Sequence, residues 1–199
     1  MIRIRCNFST SIGRYEVEDY LRPLNISICG YSADGDEVVL GMIGADQLLF
    51  GDCIYDNQHL ISVCDADSSG MVELFEALFD EEYKFQPELE VEETTEYVLF
   101  VWKGVFHPKL RPYQSTILES LSRMMGLFCA MVMRRAACEL SDKELANLRF
   151  QKIAGTDFVF KHTSFECEFS RENPIGSLIQ EFEVEPNDAH WVQAEWKKD

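Results

Sequence analysis

The apolar and polar positions change period several times along the chain, and each change predicts an element. Ile2, Ile4 and Cys6 alternate with Arg3 and Arg5, the period of a half-buried strand. A short helix is expected over 15–21. Residues 25–31 and 37–43 read as two strands around Ser32-Ala33-Asp34-Gly35-Asp36, whose Asp-Gly pair is a hairpin signal. Further strands are expected over 47–55 and 59–64, joined by a turn at Asp56-Asn57, which makes the first third a meander.

Residues 71–84 then change to the helical period. Val72, Phe75, Leu78 and Phe79 mark one face, and Glu73, Glu76, Asp80, Glu81 and Glu82 the other. An acidic connector follows over 85–96, with Glu88, Glu90, Glu92, Glu93 and Glu96, and its low apolar content predicts a mobile loop. Val98-Leu99-Phe100-Val101-Trp102 is a β-branched and aromatic run, extended by Val105-Phe106 to the stop at His107-Pro108. A helix with Ile117, Leu118, Leu121, Met124 and Met125 on one face comes next. The unbroken apolar run 127–133 fits either a buried parallel strand or a continuation of that helix. Ser141-Asp142-Lys143-Glu144 is a capping box, so a helix is expected over 141–154, with Leu145, Leu148 and Ile153 as its stripe and Gly155 as its end. Alternation in 165–169, and a looser one through Ile179, Phe182 and Val184, predicts closing antiparallel strands. Trp191 and Trp196 are expected to pack the tail on the sheet. The whole reads as one α/β (α+β) domain over 1–199, a mixed, mostly antiparallel sheet flanked by helices.

Composition narrows the partners. A core is affordable at 199 residues with 46% hydrophobic side chains, whereas a net charge of −17 argues against nucleic acid and anionic membrane as partners. That charge serves solubility, or it attracts a basic protein partner. No run reaches the length of a membrane helix and no signal-peptide core is visible at the N-terminus, so a cytoplasmic protein is expected. Seven cysteines without a CxxC pair, mostly inside apolar runs, suit reduced buried thiols, and His59, His107, His162 and His190 have no zinc-ligand spacing. The signatures of serine hydrolases, phosphate-loop NTPases, dinucleotide-binding dehydrogenases and zinc proteases are all missing from the sequence.

Two segments carry candidate chemistry. Between the 98–106 strand and the next helix, Lys109 and Arg111 stand just before a helix start, where free backbone N–H groups and the helix dipole favour an anion; an ordinary basic crossover is the alternative. The other segment, Asp65 to Glu76, fits a calcium-loop pattern: Asp65, Asp67 and Ser69 as oxygen donors, Gly70 at the turn, Met71 through its carbonyl and Glu76 as a bidentate carboxylate. The same stretch also reads as a polar turn in which Asp67 or Ser68 caps the following helix, or as a strand-end D-x-D that holds Mg²⁺ or Mn²⁺.

The order of elements, with Phe106-His107-Pro108-Lys109-Leu110-Arg111-Pro112-Tyr113-Gln114-Ser115-Thr116 at the crossing, resembles the GNAT N-acetyltransferase superfamily over about residues 95–169. In that family a V-x-P-x-x-R strand end precedes an R-x-x-G-x-G/A loop that holds the pyrophosphate of acetyl-CoA. Pro108 and Arg111 keep the register, while Gln114 and Thr116 replace the glycines. The resemblance implies acetyl-CoA as cosubstrate and a small-molecule or protein amine as acceptor. Arg111 and the backbone of Tyr113, Gln114, Ser115 and Thr116 would hold the pyrophosphate, and Phe106 and His107 would line the thioester arm. Asn147 matches the family's helix-start asparagine, but Phe150 stands where a tyrosine acts as general acid. The resemblance therefore assigns no catalytic residue, and a relative that has lost catalysis fits equally. The rival reading is a non-enzymatic acidic binding protein, calcium-responsive through 65–76.

Overall fold

A computed structural model describes residues 2–8, 17–67, 69–91, 94–125, 129–163 and 184–198. Its centre is a seven-stranded sheet in the order β1-β2-β3-β4-β5-β7-β6. The strands are β1 (Arg3–Phe8), β2 (Leu21–Tyr31), β3 (Glu37–Leu48), β4 (Tyr97–Phe106), β5 (Cys129–Arg134), β6 (Gln151–Lys152) and β7 (Phe158–His162). Every neighbouring pair is antiparallel except β4 with β5, which run parallel. The helices are α1 (Phe50–Tyr55), α2 (Leu60–Asp67), α3 (Ser69–Leu78), α4 (Gln114–Met125), α5 (Asp142–Asn147) and α6 (Asp188–Trp196).

The sheet separates two cores, and this explains the unbroken apolar runs at its centre. Leu99, Val101, Cys129, Met131 and Met133 face one core with Ile117, Leu118 and Leu121 of α4. Val98, Phe100, Ala130 and Val132 face the other, with Leu60, Val63, Leu74, Phe75 and Leu78 of α2 and α3. A strand buried on both faces has no polar side to alternate with. Within the described residues the run resolves in favour of a strand, with 129–134 in the sheet and α4 spanning Gln114–Met125. The hairpin at Asp34-Gly35 forms as expected, with Gly35 at φ +87°, and its strands extend to Leu21 and Leu48.

Four expectations change. Residues 50–55 and 60–67 are helices rather than strands: Phe50 and Cys53, then Leu60, Val63 and Cys64, are buried at spacings of three and four, which short apolar runs do not reveal. The helix starting near 71 ends at Leu78, because the Asp80 carboxylate accepts from the Glu82 and Lys84 amides at 2.8 and 3.0 Å and folds 79–85 back on itself. The capping box of α5 is present, with Ser141 and Glu144 each accepting from the other's backbone N–H, but the helix stops at Asn147. Arg149 takes a left-handed φ of +66° and Phe150 N–H returns to the Leu145 carbonyl at 2.9 Å, a helix-ending turn, while Gly155 serves the β6–β7 turn instead. The expected 15–21 helix is a 3₁₀ turn at Val17–Tyr20 within the described residues. The strands expected over 165–169 and around 179–182 lie outside them.

Cys29, Cys53, Cys64, Cys129 and Cys138 are buried and lie outside any disulfide. Burial pushes the Cys129 thiol up to about 12, and burial followed by the nearby Asp56 charge pushes Cys53 to about 11. Because the thiolate is the reactive form, alkylation of the native protein at pH 8 should leave Cys53 and Cys129 unlabelled while denaturant exposes both, as peptide mass mapping would read. Labelling of Cys129 in the native state would contradict this packing.

Candidate functional site

The central feature is the place where β4 and β5 part. Their ladder runs from Tyr97–Cys129 to Val101–Met133. Beyond that point β4 continues to Phe106, but the chain after β5 leaves through a 3₁₀ turn at Arg135–Ala137. A bulge marks the divergence. On the β3 side, Gly44 pairs with Lys103 and Ala45 with Val101, which leaves Trp102 as the extra residue of β4. A Cβ on Gly44 would lie 2.4 Å from the Trp102 ring, so the indole lies over a position that needs glycine.

The space between the parted segments is a cleft of about 760 Å³, walled by Trp102 to Phe106 of β4, by Ala136, Cys138 and Glu139 after β5, and by the last turn of α6. Gly104 lets the two walls touch at its base, since a Cβ there would meet the Ala137 carbonyl oxygen at 2.1 Å.

One carboxylate ties α6 to this wall. The buried Asp188 accepts from Lys109 Nζ at 2.8 Å and from the Glu185 amide at 3.0 Å, and lies 3.5 Å from His107 Nε2. Burial pushes its carboxyl up, yet the Lys109 and Glu185 hydrogen bonds and the neighbouring charges outweigh this and hold it below the usual range. His107 Nδ1 accepts from the Lys109 amide at 3.3 Å and its ring stands edge-on to Trp191, with centroids 5.2 Å apart.

The crossing residues have mixed placements. Phe106 lines the cleft, and His107 is beside it under α6. Arg111 is exposed and pairs with Glu139 of the opposite wall at 3.2 Å. Gln114 is only 1% exposed and its Oε1 accepts from the Glu139 amide at 3.1 Å, while its Nε2 is buried without a partner. Tyr113, Ser115 and Thr116 are half-buried. Residues 108–113 form a 3₁₀ turn that runs into α4, Gln114 N–H donates to the Arg111 carbonyl, and Lys109 and Leu110 N–H donate to His107. Asn147 is exposed at the end of α5 and does not line the cleft. Phe150 is buried in the core.

The 65–76 segment is helical on both sides of residue 68. Asp65 and Asp67 belong to α2, and Ser69, Met71 and Glu76 to α3, so these residues do not trace a coiled twelve-residue loop. Met71 is fully buried. Among the described residues no three of His, Cys, Asp and Glu are grouped to hold a metal ion, and no helix is long and apolar enough to cross a membrane.

The sequence reading missed the walls of the cleft. Trp102 reads as an ordinary strand residue and Trp191 and Trp196 as tail packing, yet all three line the cleft with Glu139 and Glu195. The available signal was an aromatic in a strand that is followed by Lys-Gly rather than by a further apolar alternation. No family model, curated protein or solved structure matches the chain.

Proposed function

We propose that this protein binds acetyl-CoA in the cleft where β4 and β5 part, and that the site serves acyl transfer to an amine, as the GNAT resemblance implies. The observation that carries this reading is the parting itself. A parallel pair that stops at Val101–Met133, with a bulge in β4 and a crossover helix beginning just past the strand end, leaves a narrow slot at the carboxyl ends of two parallel strands. Slots of this kind in open sheets are where extended ligands enter.

The fit to the cosubstrate is unequal along its length. The cleft suits an apolar thioester arm, with Phe106 and Val105 on one side and Ala136 and Cys138 on the other. At the mouth, Arg111 is the exposed cation for a pyrophosphate, and its pair with Glu139 is a surface contact that exchanges at little cost. The N–H groups of 109, 110 and 114 already have acceptors and are not open to the phosphates. Binding therefore rests on Arg111 and the cleft walls. Transfer to an amine forms a C–N bond and breaks the C–S bond, with one proton leaving the nitrogen and one reaching the sulfur. Glu139 and Glu195 are the carboxylates on the cleft walls. Phe150 has no proton to give, so a tyrosine-type acid is not available from that position.

Isothermal titration of acetyl-CoA in calcium-free buffer should give saturable binding, and Arg111→Ala should weaken it about tenfold or more, the size of a lost charge-assisted phosphate contact. Absence of heat at two temperatures would overturn the reading and favour an acidic binding protein on the same scaffold.

A further inference from the structure

We infer that the cleft holds a seat for an organic ammonium with an aromatic or apolar body, formed by Trp102, Trp196 and the carbonyl end of α6. This rests on the reading of the cleft as a ligand site and names the class of amine it takes.

Three observations converge on this seat. Trp102 and Trp191 remain 39% and 38% exposed, and both line the cleft. Trp102 and Trp196 meet at 47° with ring centroids 5.8 Å apart, making an open corner of two indoles. An ammonium already occupies one side of that corner: Lys103 Nζ lies 5.1 Å from the Trp196 ring centroid and donates to the Trp196 carbonyl at 2.8 Å. That carbonyl lies at the C-terminal end of α6, where the helix dipole is negative. A ring face, a helix-end carbonyl and nearby carboxylates are the three groups that attract a cation without a metal.

The carboxylates are Glu195 and Glu139. Glu195 pairs with Lys198 at 2.5 Å and Glu139 with Arg111 at 3.2 Å, contacts that exchange at little cost, whereas at the Trp196 ring and carbonyl a ligand ammonium has to take the place of Lys103 Nζ. An anionic group at this corner would have to draw Lys103 from its ring and carbonyl, so the pyrophosphate of acetyl-CoA belongs at Arg111 and not here. The cleft, at about 760 Å³, is far larger than an ammonium group and has room for a ring or chain beside Trp102 and Trp191.

The test uses the full chain at pH 7 with three probes of matched shape, 2-phenylethylammonium, its N,N,N-trimethyl analogue and neutral 2-phenylethanol, titrated by tryptophan fluorescence without acetyl-CoA. Both cations should quench saturably, and the alcohol should bind at least about fivefold more weakly, the worth of a partly desolvated cation–π contact. Trp102→Leu should weaken both cations with the melting temperature retained, and Glu195→Gln, at a half-buried position, should weaken them by a smaller factor. Equal affinity for the alcohol and the cations, or no saturation by either cation, would overturn the inference. Acetyl-CoA is titrated separately. If it binds and the cations do not, the ammonium seat fails and the acetyl-CoA reading stands; if the cations bind and it does not, the reverse holds.

Discussion

Gly104→Ala should destabilise the protein by about 1–3 kcal/mol, the range for forcing an extra methyl into a packed site. The added carbon would meet a backbone oxygen, that of Ala137, at 2.1 Å, and backbone cannot rotate aside as a side-chain tip can. Relief requires the wall after β5 to move away from β4. The change should therefore lower the denaturation midpoint and also weaken every ligand of the cleft, whereas Gly35→Ala, in an open turn at φ +87°, should alter stability alone. Chemical denaturation and acetyl-CoA titration of the two variants would separate these effects. A Gly104→Ala protein of unchanged stability would contradict the closed base of the cleft.

Asp188→Ala should cost about 1.5–3 kcal/mol, because it removes a hydrogen-bonded charge from a buried position and leaves the Glu185 amide without its acceptor. Lys109, a third exposed, rehydrates, which keeps the loss below that of a fully buried pair. The pH dependence follows from the sign of the shift. With a folded carboxyl held lower than the unfolded one, the contribution is complete above the ordinary aspartate range near 4 and fades as pH falls through the lowered folded value. Urea unfolding at pH 6 and pH 3 should show less acid-side loss in Asp188→Asn than in the parent. Equal loss in both would place the acid sensitivity elsewhere.

Periodicity was most informative where burial leaves a regular trace. Leu99 and Val101 against Val98 and Phe100 belong to a strand covered on both faces, and the continuous run in the sequence says as much. Ser141 and Glu144 announced their helix start through paired hydrogen bonds that need only local geometry. Short runs were ambiguous for a physical reason: six residues such as Phe50–Tyr55 make under two helical turns, too few to separate a period of 3.6 from one of 2. Where helices stop was set by contacts the sequence does not display in advance, the Asp80 side chain folding back and Arg149 accepting a left-handed conformation.

The site was legible in one half. Phe106, His107 and Arg111 were placed by their position between strand and helix, and they do lie at or beside the cleft. The other half is tertiary. Trp102 meets Trp196 across 94 positions of sequence only because α6 lies over β3 and β4, and a bulge at Trp102 arises from pairing with β3 rather than from any local motif. The start of α4 was not legible for a related reason. Free N–H groups exist at a helix start only if the preceding residues are not helical, and here His107 and the 3₁₀ turn at Pro108–Tyr113 supply acceptors for the Lys109, Leu110 and Gln114 N–H groups.

The parting of β4 and β5 as a cosubstrate cleft is tested most directly by backbone amide chemical shifts of the ¹⁵N-labelled chain during titration with acetyl-CoA. Perturbations should be saturable and should cluster on Trp102 to Phe106, on Lys109 to Thr116 without Pro112, and on Ala136 to Glu139, the two walls and the mouth. Saturable shifts confined to other elements, such as α1 to α3, or no shifts at millimolar acetyl-CoA, would contradict it.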